Sequence, residues 1–401
     1  MRSGSKAVLH VAYSVALVSA AFALTEYGAR EMIYGQLAPP GHQTELILDR
    51  WTAFRNNSNY NRKGVRLNTA GFRRDGNVSV EKPADAIRIF LLGGSVAYGG
   101  NSLYPEIDDH WKISNSETID YALEKRLNSA FPSKRWEVIN GAVDGYFLNQ
   151  DLALYLSRVQ RYRPDYLILL DGVNDIFAIL RAAGDQDGYT MAGLGDEFNS
   201  LTKPGSMSFM FMTSTWLLNN SALYRSVRES VGQRYRIRER KKRARQSVAS
   251  IHPNLADLSW NEQQQYRAAA SRLFNYLHQV LQIHHLALLD GTKTLFVLQP
   301  QIAVTRKPMT ALEAQLFEYW AKLDGPLAVY GFQMLYPQLS TRLTSSAETE
   351  GYRYLDLTNV FDQAQVQTFT DYCHLTPAGN QMAADAIFNS VANWLPAGGA
   401  R

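Results

Sequence analysis

Ile87-Arg88-Ile89-Phe90-Leu91-Leu92-Gly93-Gly94-Ser95-Val96-Ala97-Tyr98-Gly99-Gly100 is the stretch that decides how this chain folds. Its first six residues are rich in β-formers and read as a buried strand. The run stops at two glycines, and a serine follows at once. Glycines let the main chain turn sharply and leave room beside the serine. A serine at the carboxyl end of a buried strand stands where α/β sheets hold their ligands. Taken alone, the stretch reads equally as a nucleophile turn, a phosphate-binding glycine turn or a tight turn with a capping serine. It is neither G-x-G-x-x-G nor followed by Gly-Lys-Ser/Thr.

Downstream, strands alternate with helical patterns. Ile119, Leu123, Leu127 and Phe131 recur every four residues in a helix near 116–131, with Ser116 as its N-cap. Further strands read at Trp136–Asn140, Tyr166–Leu170, Thr294–Leu298 and Tyr354–Leu357, with helices near 152–159, 262–287 and 310–323. Thr376-Pro377 caps a last helix that buries Ala383, Ile387, Val391 and Trp394. This rhythm implies a parallel sheet covered on both faces, an α/β fold.

Upstream, residues 7–24 form an apolar run without Asp, Glu, Lys or Arg, preceded by Arg2 and Lys6. That length is enough to cross a bilayer as a helix, and the positive flank sends the rest of the chain outward. Residues 1–25 are therefore expected to be a signal anchor, with the main body extracytoplasmic (periplasmic) at an inner membrane. Ala21-Phe22-Ala23 also allows cleavage and secretion. Residues 26–86 show no strong period and read as a linker and N-terminal cap. The domain proper is expected over 87–396, with a helical insertion at about 177–290.

Three further loops at strand ends carry suggestive residues: Asn140-Gly141-Ala142-Val143-Asp144-Gly145-Tyr146, Asp171-Gly172-Val173-Asn174-Asp175 and Asp371-Tyr372-Cys373-His374. With Gly94-Ser95 they should gather at one edge of the sheet. Gly-Ser-x-x-x-Gly, the loop glycine Gly145, Gly-x-Asn-Asp and Asp-x-x-His, in this order, resemble the four blocks of the SGNH hydrolases, also called GDSL esterases/lipases. The resemblance runs from about residue 87 to 390, outside the insertion. It implies a flavodoxin-like doubly wound parallel five-stranded sheet. It implies Ser95 as nucleophile, His374 as base and Asp371 as its orienting acid. The oxyanion hole would be built from Ser95, Gly145 and Asn174. The family's usual Asp of Gly-Asp-Ser is Gly94 here. The residue types suit the chemistry, because a serine hydroxyl attacks only when a base takes its proton, and the oxyanion so formed needs donors.

The implied activity is hydrolysis of O-acyl esters, O-acetyl groups on a glycan above all. Transfer of the acyl group to a sugar hydroxyl uses the same acyl-enzyme, and a non-catalytic glycan-binding scaffold is the third reading. No cofactor and no metal are expected. The single cysteine, Cys373, excludes an intramolecular disulfide and reads as a packed side chain. His284-His285 read as surface or boundary residues, and Asp108-Asp109-His110 as a solvated loop. The net charge of +4 is uneven: residues 234–245 carry eight Lys and Arg against Glu239, which leaves the remainder acidic. That pattern opposes a nucleic-acid surface spread over the fold. The run reads as a solvated helix face or a contact for an anionic surface. The apolar piece 209–218 reads as packing within the insertion.

Overall fold

The computed structural model describes residues 2–34, 45–62, 64–181, 217, 221–246, 252–392 and 394. Its contacts divide the chain into two compact units, Met1–Glu45 with Ala192–Glu239 and Leu46–Met191 with Arg240–Arg401.

In the first unit, α1 spans Arg2–Tyr34 as one continuous helix. Residue 10 and residues 12–25 are all exposed, including Val15, Leu17, Val18, Phe22 and Leu24. The side chains of residues 7–9 and 11 lie outside the described set. Among the described residues, no helix is long and apolar enough to cross a membrane. The 209–218 piece falls outside the described residues apart from Leu217.

The second unit opens with two small antiparallel hairpins, β1 (Leu46–Asp49) with β2 (Ala53–Asn56) and β3 (Asn61–Arg62) with β4 (Val65–Arg66). The central sheet then starts with β5, Ala86–Gly93, where seven of eight residues are buried. α2 (Ser95–Tyr98) and α3 (Ile119–Ala130) lead to β6 (Arg135–Asn140). α4 (Leu148–Leu154) leads to β7 (Tyr166–Asp171), whose six residues are all buried, and α5 (Val173–Arg181) follows directly. α6 covers Ala222–Gln246 and carries the basic run, starting in the first unit and ending in the second. α7 (Trp260–Leu289) precedes β8 (Lys293–Leu298). α8 (Ala311–Glu350), β9 (Arg353–Asp356) and α9 (Pro377–Ala392) complete the chain.

The five strands β5 to β9 are all parallel and run in the order β6-β5-β7-β8-β9. Phe90 pairs with Ile139 on one side and Leu167 on the other, and Phe296 pairs with Leu169 and Tyr354. The order in which strands are added reverses between β5 and β7, so the crevice beyond their carboxyl ends is the topological switch point. This is the doubly wound parallel order that the four blocks imply. Buried strands need cover on both faces. α3 packs with α9, and α5, α7 and α8 pack together.

Several expectations are corrected. The pattern near 310–323 ends where α8 breaks at Gly325, and a second helical half, begun by Pro326, buries Leu335, Tyr336 and Leu339. The segment after Asp171 was expected as a loop and is a helix from Val173. His284 is buried, with Nδ1 2.7 Å from Thr294 Oγ1, because α7 lies against β8. Asp108 is buried too; it accepts from Gln367 Nε2 at 2.7 Å and from the exposed His110.

Candidate active site

The turn after β5 is shaped by close approaches. Gly93 has φ +138°, and a Cβ there would lie 2.2 Å from Leu170 O on the neighbouring strand. No other residue fits. A Cβ on Gly94 would lie 2.6 Å from Asn174 Nδ2 and 3.0 Å from Tyr146 O. An Asp at this position therefore has no room in this chain. Ser95 opens α2 and is buried.

His374 arrives from the loop between β9 and α9 and is buried, as is Asp371. Its Nδ1 is 2.7 Å from Asp371 Oδ2. Asp371 also accepts main-chain N–H groups from Leu103 at 2.8 Å, Cys373 at 2.9 Å and His374 itself at 2.8 Å. Burial works against the carboxylate, but His374 and these donors outweigh it and hold Asp371 below the usual range. Burial works against the imidazolium as well, yet Asp371 raises His374 well above its ordinary value. The far edge of the ring faces the Ser95 turn. A Cβ on Gly100 would lie 3.0 Å from His374 Nε2 and 3.1 Å from Ser95 O. The imidazole edge and the Ser95 main chain thus face each other across one glycine.

Asn174 sits in the first turn of α5 and donates Nδ2 to Tyr146 O at 2.8 Å. A carbonyl can only accept, so the atom facing it is the amide nitrogen, and its second N–H remains to donate elsewhere. Gly145 precedes Tyr146 with φ +83°. The structure therefore brings Ser95, Asn174 and the 143–146 loop together around Gly94, and the His374–Asp371 pair against the same turn at Gly100.

The segment read as linker and cap braces these loops. Asn56 Nδ2 donates to Ala142 O at 2.9 Å, and Gln150 Nε2 to Thr52 O at 2.8 Å. Arg73, almost fully buried, donates to Tyr98 O and Gly99 O just beyond Ser95. The 368–376 loop hangs on Glu313, which accepts from Thr368 N at 2.8 Å and Phe369 N at 3.2 Å and pairs with the buried Lys307 at 2.7 Å.

Sequence reasoning missed three groups that touch this site. Asp151 Oδ1 accepts Gly93 N–H at 3.1 Å from beneath the turn. Its signal was an acid on the buried stripe of α4, at i+3 from Leu148 and i−3 from Leu154. Asp144 is exposed. Desolvation raises its carboxyl, His374 draws it down and Asp371 raises it. Glu313 had no local sequence mark beyond its capping-box position after Thr310.

Among the described residues, one set of ligating atoms, on Asp371, Cys373 and His374, lies within 4.8 Å of one another. Both Asp371 oxygens are already engaged, and burial pushes the Cys373 thiol up to about 11. A protonated thiol and an engaged carboxylate are poor metal donors.

No protein-family model matches the chain, and no curated protein matches it. Solved structures similar to it include an α/β hydrolase from the metagenome of Lake Arreo, Spain, at 14% identity and TM-score 0.37, covering 77% of this chain and 97% of that one. Two catalytic mutants of an acetylxylan esterase from Geobacillus stearothermophilus align at TM-score 0.40. One is 9% identical over 76% of this chain and 94% of its own, the other 10% over 78% and 97%. At these identities and scores the likeness says nothing about chemistry, which rests on the site's own geometry.

Proposed function

We propose that this chain is a serine ester hydrolase of SGNH type. The observation that carries the reading is the buried Asp371–His374 pair, 2.7 Å apart, with the free edge of the imidazole turned to the Ser95 turn. In this reading His374 Nε2 takes the Ser95 hydroxyl proton as Oγ attacks the acyl carbon. Asp371 keeps the Nδ1–H in place and stabilises the imidazolium. The main-chain N–H groups of Ser95 and Gly145 and the second N–H of Asn174 receive the oxyanion. His374 then returns the proton to the leaving alcohol, and water repeats the sequence on the acyl-enzyme.

Sequence resemblance makes O-acyl esters the substrates, O-acetyl groups on a glycan in particular. The exposed apolar side chains all around residues 12–25 support a membrane anchor, and the basic flank supports an extracytoplasmic catalytic unit. Polar burial at the site accounts for Ser95, His374 and Asp371 as a working unit better than as scaffold residues, because a buried acid and imidazole are costly to keep.

A fluorophosphonate probe on the purified chain tests the reading. Wild type is expected to label, and Ser95→Ala and His374→Ala are expected not to. A folded wild type that takes no label overturns it. In cell fractions, the labelled full chain is expected with membranes and a chain begun at residue 27 in the soluble fraction.

A further inference from the structure

Beneath the nucleophile turn lie three carboxyl groups that the mechanism above does not use. Asp151, Asp171 and Asp175 come from α4, the end of β7 and the first turn of α5, and all three are buried. Asp151 Oδ1 accepts Gly93 N–H, and Asp171 accepts Gly94 N–H. Asp175 accepts Leu148 N–H at 3.2 Å. One oxygen of each, Oδ2, has no donor of its own. Asp151 and Asp171 nevertheless lie side by side in hydrogen-bonding contact.

Two carboxylates cannot bond to each other, since both only accept. Their contact is satisfied when one carries a proton. Resting on the hydrolase reading above, we propose that Asp151 and Asp171 share one proton and act as a positioning pair that holds Gly93 and Gly94, and through them Ser95, in register with Asn174. Asp151 O–H donates to the Asp171 carboxylate, and the two remaining oxygens take the two glycine N–H groups. Loss of the shared proton leaves two adjacent buried anions, which repel, loosen the turn and raise the energy of an oxyanion forming above them.

The groups facing the pair agree. Asp175 adds a third acid from α5, the Tyr146 phenol stands near Asp151, and the Tyr336 phenol from α8 stands near Asp175. Burial, and for Asp151 and Asp175 the Asp171 charge as well, pushes all three carboxyls up, Asp171 to about 7. The pair titrates as one unit.

The test uses the full chain and reads probe labelling of Ser95 against pH in wild type, Asp151→Asn and Asp151→Ala. Asparagine reproduces the protonated state: its amide donates to Asp171 and its oxygen still accepts Gly93 N–H. Wild type is expected to lose labelling about tenfold per pH unit once the shared proton is gone. Asp151→Ala is expected to label slowly at every pH. Asp151→Asn is expected to rescue labelling and to move the alkaline limb up by more than about one unit. An Asn variant with the wild-type limb overturns the proposal. The melting temperature against pH gives a second reading that needs no catalysis. A folded-state carboxyl raised above its unfolded value costs stability as pH climbs through that interval, so wild type is expected to lose more than Asp151→Asn. Parallel melting curves overturn the shared proton even if no variant takes the probe, and an unlabelled wild type with divergent curves overturns only the hydrolase reading.

Discussion

Gly94→Ala adds one methyl group to the gap between the Gly93-Gly94-Ser95 turn and Asn174. On the main chain as it stands, that carbon is 2.6 Å from Asn174 Nδ2 and 3.0 Å from Tyr146 O. Gly94 is extended, with φ −80°, so alanine meets no main-chain strain and the effect comes from contact alone. Ordinary contact starts at 3.4 Å, so the amide has to retreat by about 0.8 Å. It cannot do so without loosening its 2.8 Å bond to Tyr146 O, an atom the same methyl crowds. Displacing a positioned group by about 1 Å costs on the order of 10²-fold, and losing an oxyanion donor outright about 10²- to 10³-fold. We expect kcat for an activated acetyl ester to fall about 10²-fold with KM nearly unchanged, and overpacking to cost about 1–3 kcal/mol of stability. Gly94→Asp, which restores the residue of the resembled family, is expected to be slower still. The assay is a cycle of wild type, Gly94→Ala, Asn174→Ala and the double variant. If the methyl acts through Asn174, the double variant is no slower than Asn174→Ala. Full additivity, or a Gly94→Ala enzyme as fast as wild type, refutes the reasoning.

Two further outcomes follow from groups that hold the histidine loop. Glu313→Gln leaves Lys307 as a buried cation without its anion, and breaking such a pair costs about 3–5 kcal/mol, read as a lower urea midpoint. Burial raises the Glu313 carboxyl, but Lys307 and the surrounding N–H donors bring it below its ordinary value. Wild type therefore keeps this contribution above the ordinary carboxylate range and loses it as pH falls through the lowered value, whereas the Gln variant lacks it throughout. Asp371→Asn replaces the acceptor of His374 Nδ1–H by an amide that favours the wrong tautomer, and labelling is expected to fall about 10⁴-fold. His374 is raised above its ordinary value, so wild-type labelling climbs with pH until the ring is neutral, and Asp371→Asn moves that limb to lower pH. The contribution of His374 to stability has the matching sign: it is lost as pH rises from the ordinary histidine value through the raised one, and at the acid end it lasts until Asp371 takes up a proton.

The strands were legible because a parallel strand buried on both faces needs an unbroken apolar run, and Tyr166–Leu170 is such a run. Loops at strand ends were legible for the related reason that Gly, Asn and Asp interrupt those runs. What stayed hidden was set by long-range packing. Val173–Arg181 looked like a loop because Gly172-Val173-Asn174-Asp175 carries turn residues, yet Ile176, Phe177, Ile179 and Leu180 bury against neighbouring elements and carry the helix. The second half of α8 was missed because Gly325-Pro326 reads as a stop, and a helix restarts directly after it. The hairpins of 46–66 have almost no periodicity; their role is to give main-chain and amide partners to Ala142 and Gln150, which no window of sequence records. His284 was misjudged because helical spacing does not say which neighbour a helix meets, and here it is Thr294 of β8.

Gly94 and the buried acids belong to one arrangement. A Cβ at position 94 would meet Asn174 Nδ2 wherever the rest of the side chain pointed, so an Asp there would push the donor away. Without it, the turn has no side-chain support of its own, and its two glycine N–H groups are directed downward into Asp151 and Asp171. Support from below brings a cost: carboxylates close beneath a forming oxyanion oppose it. The shared proton removes one of the two charges while keeping the hydrogen bonds, since a carboxylic acid still accepts through its carbonyl oxygen. With glycine at position 94 the turn thus rests on a pair that has to keep its shared proton, and complete burial among like charges is the environment that holds it.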